Sequence, residues 1–352
     1  MMRQTEIKKF LIIGGGLAGT SLAHHLLQRN QSVQIIDGGE NHSTRVAAGM
    51  VNPLVFRRTT LSWRAADFLQ YSWDFYKSLE RLLNITLAEP LVIRRIFPSE
   101  HEREEWKTKQ MLPDFQAHLT PLLESEAPQN YKTTFGSGLV KSGFFVHAKD
   151  YYLKNRTYFM DLGLLKSKKF MPSLLDPISG SYENEAFDHI IFCTGYKNSS
   201  CPFFKNVPVK STKGQTLEIK STIFPEKESL HLKCFVFPIG QQKFRIGATY
   251  EWDNEELVPT ETAKNHLLDQ IKYISDEEIE VLSQPIGIRP TTMDRRPTMG
   301  THPQFSKLHI FNGLGAKGYL LAPKLAAEMT SYLLDQSPLD PEVSLKRYKF
   351  FS

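Results

Sequence analysis

The sequence is poor in the features that mark membrane, metal and disulfide proteins. Its only cysteines, Cys193, Cys201 and Cys234, match no metal-ligand spacing and form no Cys-x-x-Cys pair, which is typical of a reducing compartment. No apolar run approaches the roughly 18 residues of a membrane-spanning helix. The apolar run after the basic N-terminus ends in glycines within a few residues, unlike a signal peptide. We therefore expect a cytoplasmic protein with no bound metal and no membrane association.

The chain also lacks internal repeats, low-complexity tracts and Gly/Ser-rich linkers. Its 352 residues suffice for one large domain or two ordinary ones. Because no linker divides the chain, we expect domains that interleave and do not simply follow one another. The net charge of +5 suits an anionic substrate or RNA. It proves neither, because most Lys and Arg side chains of a protein are solvated on its surface.

The clearest pattern that is present runs from Phe10 to Asp37. In order it contains the apolar strand Phe10–Ile13, Gly14, Gly16 and Gly19 in Gly-x-Gly-x-x-Gly spacing, a helix from Leu17 to about Arg29, the strand Val33–Ile36 and Asp37. This order of strand, glycine turn, helix, strand and acid is the βαβ unit of dinucleotide-binding proteins. The stretch predicts a dinucleotide, but alone it does not separate NAD from FAD.

Each residue type in this unit has its own expected task. Gly14 permits the sharp exit from the strand, Gly16 lets the backbone approach a pyrophosphate, and Gly19 lets helix and strand pack closely. The helix N-terminus, at Leu17 and Ala18, faces the phosphates with unpaired N–H groups and a positive dipole.

The acid and the loop after it extend the expected cofactor site. Asp37 is placed to accept hydrogen bonds from the adenosine ribose. The loop offers phosphate-binding residue types followed by small residues that let backbone lie against a flat ring. These residues are Ser43, Thr44 and Arg45 for phosphate, and Ala48, Gly49 and Met50 for the ring. An ordinary Asx-rich loop fits this composition equally well.

Two later strand ends carry further glycine signals. The strand Phe187–Phe192 runs into Thr194 and Gly195, which either return the chain to the phosphate side or form a simple turn. The strand Leu308–Phe311 leads into a glycine loop and a helix from about Ala322 to Leu334, with Pro323 expected in the first turn. The candidate residues of that loop are Gly313, Gly315, Ala316, Lys317, Gly318 and Tyr319. A helix N-terminus there suits the anionic N1/C2 carbonyl edge of a reduced flavin.

Strand patterns of another kind occupy the middle of the chain. Gly214–Ile219, Cys234–Pro238 and Phe244–Glu251 are typical of an antiparallel sheet, which we assign to substrate binding. The predicted fold class is α/β. We expect the FAD-binding domain in residues 1–86, 139–210 and 284–352, and the substrate domain in 87–138 and 211–283.

Taken in order, these motifs resemble the FAD-dependent D-amino-acid oxidase superfamily over nearly the whole chain. The motifs are Gly14–Gly19 with Asp37, Ala48-Gly49-Met50, Cys193-Thr194-Gly195, Lys213-Gly214-Gln215, Gly287-Ile288-Arg289-Pro290 and Gly313–Gly318. The resemblance implies a Rossmann-like FAD-binding domain interleaved with an α+β antiparallel-sheet substrate domain. It also implies non-covalent FAD, because no cysteine lies near the C-terminal loop where covalent members attach their flavin.

Within the superfamily the chain is similar to glycine/sarcosine oxidases and to the oxidase domain of the bifunctional tRNA 5-methylaminomethyluridine biosynthesis enzymes. The second likeness lies in Gly49–Pro53, in the Gly-Ala-Lys-Gly loop followed by Ala-Pro, and in Ser337–Asp340 leading to Lys346–Tyr348. We expect no methyltransferase domain here, which is where the chain departs from these bifunctional enzymes. The implied activity is oxidation of a C–N bond next to a carboxylate in a small amine or amino acid. One alternative is an oxidase that acts on a carboxymethylaminomethyl-uridine in tRNA, and another is a catalytically idle flavin-binding module. The oligomeric state stays open.

Arg289 is the first candidate for substrate binding. In the superfamily, the arginine of the matching motif holds the substrate carboxylate, and a planar guanidinium suits that bidentate geometry. The alternative is a structural arginine that pairs with Asp294 or Glu251. No catalytic base is named, because none is required when the amine binds neutral.

Three further residues are weaker candidates, each with an alternative. Arg245 shares a strand face with Lys243 and either touches flavin or substrate or is solvated. Tyr250 either caps the pocket with its hydroxyl or packs in the sheet. Lys317 either neutralises the reduced ring or points to water while the backbone binds the flavin.

Overall fold

The computed structural model describes residues 6–40, 43–122 and 131–349. The helices are α1 Leu17–Gln28, α2 Ser43–Val46, α3 Ala65–Leu83, α4 Glu100–Lys109, α5 Pro113–Gln116, α6 Ala148–Asp161, α7 Glu261–Ile271 and α8 Gly318–Asp335. None of these helices, within the described ranges, is both long enough and apolar enough to cross a bilayer.

The strands are β1 Lys9–Ile13, β2 Ser32–Ile36, β3 Met50–Val51, β4 Leu54–Val55, β5 Thr60–Leu61, β6 Ala88–Pro90, β7 Val92–Ile96, β8 Ser137–Val140, β9 Phe144–Val146, β10 Leu165–Lys166, β11 Leu175–Asp176, β12 Ser181–Tyr182, β13 Glu185–Ala186, β14 His189–Phe192, β15 Val209–Lys220, β16 Glu228–His231, β17 Phe235–Gly240, β18 Lys243–Gly247, β19 Glu251–Trp252, β20 Glu280–Ser283, β21 Ile286–Thr292, β22 Thr298–Thr301 and β23 Leu308–Asn312.

The first large sheet is built around β1. Its order is β10-β2-β1-β14-β23-β22, and all neighbours are parallel except β22 with β23. Phe10, Leu11 and Ile12 have no exposed surface, because β1 is covered on both faces. Since β1, β14 and β23 are parallel neighbours, the loops that follow them meet at one edge of the sheet.

Helices α1, α3, α6 and α8 form the apolar layer on one face of this sheet. His24 and His25 of α1 are buried there, with their Nε2 atoms against Asn155 and the carbonyl oxygen of Pro323. Burial lowers the pKa of each histidine to about 4, so both are neutral packing groups at physiological pH.

The start of α8 differs from the sequence prediction. The helix begins at Gly318, so Pro323 lies inside it and not in its first turn. A proline has no N–H, which leaves the carbonyl one helical turn earlier, that of Tyr319, without its usual donor. The Tyr76 hydroxyl on α3 donates to this carbonyl at 2.8 Å. The Ser72 hydroxyl on α3 similarly donates to the carbonyl of Leu320 at 2.6 Å. The neighbouring helix α3 thus supplies hydrogen bonds to the carbonyls of α8 near Pro323.

The second large sheet has the order β19-β15-β18-β17-β16-β7-β8, and β20 and β21 also pair with β15. Its longest strand, β15, places Gly214 opposite Gly287 and Thr216 opposite Gly247. Phe235 of β17 pairs with Gly247 from the other side. This register puts several small residues next to one another on the sheet.

The predicted domain division stays a prediction. All strands of the first sheet fall in the segments expected to bind FAD, whereas the second sheet also contains β21, which lies in the segment 284–352. Residues 1–5, 41–42 and 350–352 of the expected FAD-binding segments, and 123–130 of the substrate segments, lie outside the described residues.

Candidate active site

A cavity of about 1180 Å³ is lined by loops of the first sheet and by strands of the second. It exceeds the roughly 300–1,000 Å³ of most small-molecule pockets, so it has room for a cofactor and a substrate together. Most predicted cofactor residues line it: Gly14, Gly16, Leu17, Ala18, Asp37, Ser43, Thr44, Ala48, Gly49, Met50, Thr194, Gly195, Gly315, Ala316, Lys317, Gly318 and Tyr319. Gly19, Arg45 and Gly313 are not part of the lining.

The glycine turn after β1 brings three elements into close contact. Gly14 has φ +108°, and a Cβ there would lie 2.3 Å from the carbonyl oxygen of Cys193 at the end of β14. A Cβ on Gly19 would lie 2.0 Å from the carbonyl oxygen of Gly14. Gly19 therefore serves the packing of α1 on the turn, which explains its place outside the cavity lining.

The N-terminus of α1 has the features of an anion site. Its first turn has no acidic residue, and its first N–H groups have no acceptor within the helix. The N–H of Leu17 donates to the Thr44 hydroxyl at 3.1 Å, which ties the next loop to the helix. The N-cap residue, Gly16, has no side chain of its own to cap this helix end.

Asp37 is held by three donors. It accepts from the N–H of Gly15 at 2.7 Å, the N–H of Gly39 at 2.8 Å and the guanidinium of Arg156 at 2.9 Å. A carboxylate has about four acceptor positions, so one is left for a ribose hydroxyl. Arg156 lies on α6, more than a hundred residues from Asp37, and no local sequence signal connects the two.

Arg245 supports the loop 43–50 from the second sheet. Gly49 has φ +72°, and a Cβ there would lie 1.8 Å from the carbonyl oxygen of Val146, so the loop lies directly against β9. The Arg245 guanidinium donates to the carbonyls of Val46 at 3.0 Å and Ala47 at 3.2 Å, and it pairs with Glu218. Arg245 does not line the cavity. Arg45 is exposed.

The C-terminal loop presents backbone to the cavity. A Cβ on Gly195 would meet no atom within 4 Å, and one on Gly315 would meet only the carbonyl oxygen of Pro290 at 4.0 Å. The Asn312 amide donates to the carbonyl of Gly195 at 2.9 Å, which joins the loops after β14 and β23. The Tyr319 hydroxyl donates to the carbonyl of Thr44, so it faces the protein and not the cavity.

The ammonium group of Lys317 is hydrogen-bonded within the protein. It donates to the carbonyl oxygens of Asn52 at 2.9 Å and Leu54 at 3.2 Å and to the Ser62 hydroxyl at 2.6 Å. Burial lowers the pKa of Lys317 to about 8. All three acceptors belong to the segment 52–62, so the side chain fastens that segment to the C-terminal loop and does not point to water.

These features fit FAD. The N-terminus of α1, with glycine as its N-cap, suits the pyrophosphate, and the free acceptor position of Asp37 suits the ribose. The open backbone at Gly195 and Gly315 leaves room for a flat ring. The residues that would hold the cofactor come from the loops after β1, β2, β14 and β23. No cluster of three His, Cys, Asp or Glu side chains in the described ranges is arranged to hold a metal ion.

The cysteines of the cavity wall are inert thiols. Cys193, Cys201 and Cys234 are free and buried, and all three line the cavity. Burial raises the pKa of each, for Cys234 to about 12. Because the thiolate is the reactive form, these side chains are poor nucleophiles at neutral pH.

Arg289 lies in the cavity with most of its donors unused. It is partly buried, and among the described residues its guanidinium donates one hydrogen bond, to the carbonyl of Thr249 at 3.3 Å. No acidic side chain in the described part of the chain lies within ion-pair distance of it. Asp294 and Glu251, the expected alternatives, instead accept from Arg347 and Gln215.

Tyr250 and Gly214 set the position of this guanidinium. The Tyr250 ring centroid lies 4.5 Å from the guanidinium carbon, and the tyrosine is 60% exposed at the cavity wall, so it is not packed in the sheet. A Cβ on Gly214 would lie 2.2 Å from Nη1 of Arg289. Burial lowers the pKa of Arg289, while the neighbouring Tyr250 raises it, and an arginine remains charged in proteins.

Another part of the cavity wall was not predicted from the sequence. It is formed by Phe56, Arg95, Glu102, His231 and Phe235, which come from the β4–β5 hairpin, β7, α4, β16 and β17 in turn. Arg95 pairs with Glu102 and opposes His231 in the parallel pair of β7 with β16. The only available signal was the apolar strand at Cys234–Pro238, which indicates a strand but not the direction of its side chains.

Comparisons with known proteins agree with the FAD site that the geometry indicates. Residues 9–333 match the family model described as DAO, FAD dependent oxidoreductase. Glycine oxidase of Bacillus subtilis (strain 168) is 21% identical, with 93% of each chain aligned. The tRNA 5-methylaminomethyl-2-thiouridine biosynthesis bifunctional protein MnmC of Acinetobacter baylyi is 22% identical over 97% of this chain, but this chain spans only 56% of its length.

Among solved structures, glycine oxidase from Geobacillus kaustophilus superposes with a TM-score of 0.81 at 18% identity, covering 97% of this chain and 99% of that one. This likeness confirms the predicted fold class, in which a Rossmann-like FAD-binding part is interleaved with an antiparallel-sheet part. Because the family model covers nearly the whole described chain, the protein belongs to the DAO family of FAD-dependent oxidoreductases and is an oxidoreductase that binds FAD.

Proposed function

We propose that the protein oxidises the C–N bond of a small amine or amino acid that carries a carboxylate, such as glycine or sarcosine. The observation that carries this proposal is Arg289, a charged guanidinium in the cavity with no acidic partner in the described chain and with N–H groups to spare. The relatives named glycine oxidase support the same substrate class.

Different residues of the chain have different roles in this reaction. FAD held by the loops after β1, β2, β14 and β23 would supply, at its N5 atom, the acceptor for a hydride equivalent. Arg289 binds the substrate carboxylate in a bidentate manner, and the stacked ring of Tyr250 restricts the guanidinium to one orientation. Gly214 leaves the space in which the guanidinium lies.

Flavin reduction tests this proposal directly. Purified FAD-loaded protein is mixed anaerobically with glycine, sarcosine and other amino acids, and the visible absorbance of the flavin is followed. Bleaching by at least one carboxylate-bearing amine is expected. A flavin that stays yellow with all of them would contradict the proposal, and turnover with any amine excludes an idle flavin module.

A second candidate substrate is a carboxymethylaminomethyl-uridine in tRNA. It is favoured by the similarity to MnmC and by the net charge of +5, which suits a polyanion. This candidate predicts salt-dependent binding of tRNA and oxidation of the modified base. Failure to bind or oxidise tRNA that carries this modification would eliminate it.

We also propose that the FAD is held non-covalently. The cavity cysteines are buried, and burial raises the pKa of each thiol, so a thiolate for a flavin bond is not available at neutral pH. Acid precipitation should leave all flavin in the supernatant. Yellow colour in the protein pellet would show a covalent bond.

A further inference from the structure

We propose that Gln215, on the opposite face of the second sheet, positions Arg289 for the substrate carboxylate. It does so by holding the segment 249–251, which carries two of the groups that contact the guanidinium. This inference rests on the proposed function, because it takes Arg289 as the carboxylate site. It adds a positioning residue that does not touch the substrate itself.

Gln215 lies behind the cavity floor. Gly214 and Thr216 of β15 line the cavity, whereas Gln215 between them does not. Successive side chains of a strand point to opposite faces of a sheet, so the side chain of Gln215 points away from the cavity. It has no exposed surface. An effect of Gln215 on the substrate is therefore transmitted through its neighbours.

The side-chain amide of Gln215 uses its whole hydrogen-bonding capacity. Its Oε1 accepts from the N–H of Thr260 at 3.0 Å and from Nε2 of Gln284 at 2.9 Å. Its Nε2 donates to Oε1 of Glu251 at 2.8 Å and to the hydroxyl of Thr260 at 3.0 Å. An amide has two donor hydrogens and two acceptor positions, so all four are used. Because the N–H of Thr260 can only donate, it also fixes which end of the amide is the oxygen.

The backbone of Gln215 holds the same segment. Its N–H donates to the hydroxyl of Thr249 at 2.9 Å, and its carbonyl accepts from the N–H of Thr249 at 3.1 Å. The hydroxyl of Thr249 also lies 3.5 Å from Oε1 of Glu251. Gln215 thus binds both neighbours of Tyr250, one through its backbone and the other through its side chain.

The course of the segment explains why Tyr250 itself faces the cavity. Gly247 lies opposite Thr216 and Glu251 lies opposite Lys213, so the chain between the two pairings has one residue more than the part of β15 that it faces. An extra residue of this kind bends the strand and changes the direction of its side chains. Tyr250 lines the cavity and is exposed there.

The same segment contacts Arg289 from the cavity side. The carbonyl of Thr249 accepts from Nη1 of Arg289 at 3.3 Å, and the ring centroid of Tyr250 lies 4.5 Å from the guanidinium carbon. Since Tyr250 is exposed, the hydrogen bonds of its two neighbours to Gln215 hold it in place. A guanidinium held in one orientation before the substrate arrives loses less conformational entropy when a carboxylate binds.

Gln215→Glu tests this role, because it replaces the amide by a carboxyl group of nearly the same shape. At low pH the protonated carboxyl still donates to Glu251. At higher pH the proton is lost, and two neighbouring carboxylates repel each other, so the segment 249–251 should move away from Arg289. Another charged side chain, Lys213, has its ammonium 3.9 Å from Oε2 of Glu251 and is common to both proteins.

The readout is KM for an oxidised amine in FAD-loaded protein, and dividing the variant's KM by that of the wild type cancels the titration of the substrate. We expect the ratio to rise from below about twofold near pH 6 to about tenfold or more near pH 8. The ratio of the two kcat values should stay within about twofold, because Arg289 binds the carboxylate equally before and during the reaction.

A double variant and a control make the test specific. Gln215→Glu combined with Glu251→Gln places an amide donor opposite the new carboxylate, so the KM ratio should return to about one at both pH values. Gln31→Glu is the matched control. Gln31 is also a buried, hydrogen-bonded glutamine, but it lies between α1 and β2, outside the cavity lining. Its KM ratio should not change with pH.

The outcomes separate this inference from the proposed function. A KM ratio for Gln215→Glu that does not rise with pH, or that Glu251→Gln does not lower, overturns the inference while the wild type still oxidises the amine. A fall in kcat or a loss of FAD in place of the rise in KM also overturns it, because the variant then loosens the protein generally. If the wild type oxidises no carboxylate-bearing amine, both proposals are rejected together.

Thr249→Val keeps the test decisive if Gln215→Glu does not fold. Thr249 is only partly buried, and the substitution removes the hydroxyl that accepts from the N–H of Gln215 while keeping the shape of the side chain. KM should rise by about threefold or more at both pH values, equivalent to the loss of about one hydrogen bond. An unchanged KM in this variant overturns the inference.

Discussion

At the scale of single residues, Arg289 should determine substrate affinity. Arg289→Lys keeps the positive charge but loses the planar, bidentate donor pair, so we expect a loss of about 1.5–3 kcal/mol, or about 10- to 150-fold in kcat/KM. The loss should appear mainly in KM, because the carboxylate is bound equally before and during the reaction. Steady-state kinetics with the best amine measures it, with the exposed Arg81→Lys on α3 as control.

Gly214→Ala tests the same contact from the other side. The new Cβ would lie 2.2 Å from Nη1 of Arg289, so the guanidinium must move and KM should rise without loss of FAD. If the alanine acts only through Arg289, the double variant should be no worse than Arg289→Lys alone. Additive losses would instead show that Gly214 has a separate role.

The sequence predicted Arg289 itself better than it predicted the contacts of Arg289. Arg289 was found because its motif resembles that of a known superfamily. Tyr250 was predicted only as a possible cap of the pocket, and Gly214 only as part of a motif. Their contacts with Arg289 were not predicted, because they arise from the pairing of β15 with β21 and from the course of the chain after β18. Arg156, which holds Asp37, was missed for the same reason, because pairing across distant segments leaves no local pattern.

At the scale of elements, one side chain joins the hairpin of β4 and β5 to the C-terminal loop. Lys317 supplies hydrogen bonds to its carbonyls and to Ser62, and the hairpin carries Phe56 into the cavity. Lys317→Met should loosen the hairpin and raise KM by about tenfold, equivalent to about one hydrogen bond to a charged group. Lys324→Met on α8, outside the cavity lining, is the matched control.

The same contact predicts a pH dependence. Burial lowers the pKa of Lys317 to about 8, and the neutral amine has too few N–H groups for three acceptors, so kcat/KM should fall above about pH 8. The unfolded chain, with a lysine pKa of about 10.4, binds more protons between these values, so this group raises the free energy of unfolding as pH increases. Activity and stability should thus move in opposite directions. Lys317→Arg should flatten the activity profile, and an unchanged profile would contradict this role.

Elements were predicted well where local chemistry decides them and less well where neighbours do. The βαβ unit from β1 to β2 follows from buried apolar runs and glycines, which act within a few residues of each other. The start of α8 was wrong, because Tyr76 and Ser72 of α3 supply the donors that let a helix continue through Pro323. Such compensation comes from a second element and cannot be read from the helix itself.

At the scale of the whole molecule, the order of motifs predicted the two interleaved parts, but not how they are joined. Arg245 is one such joint. It projects from β18 of the second sheet and holds the carbonyls of Val46 and Ala47, at the end of α2 in the loop that lines the cofactor cavity. Its alternation with Lys243 predicted only a shared strand face, so contact with flavin or substrate and exposure to solvent were the alternatives that the sequence offered.

Arg245→Met should therefore weaken FAD binding more than substrate binding. Loss of two charge-assisted hydrogen bonds frees the loop 43–50, and we expect the FAD dissociation constant to rise by about tenfold or more. Partial burial raises the pKa of Glu218, but Arg245 and Ser283 bring it below its usual value, so the single variant leaves a partly buried carboxylate with fewer partners. The double variant with Glu218→Gln removes this complication.

Titration of apoprotein with FAD, followed by flavin fluorescence, measures the effect, and KM is determined at saturating FAD. Lys243→Met is the matched control, because Lys243 lies on the same face of the same strand but is exposed. Unchanged FAD affinity together with a raised KM would show that Arg245 acts on the substrate and not on the loop. A raised FAD dissociation constant with an unchanged KM would establish that the substrate sheet also holds the cofactor in place.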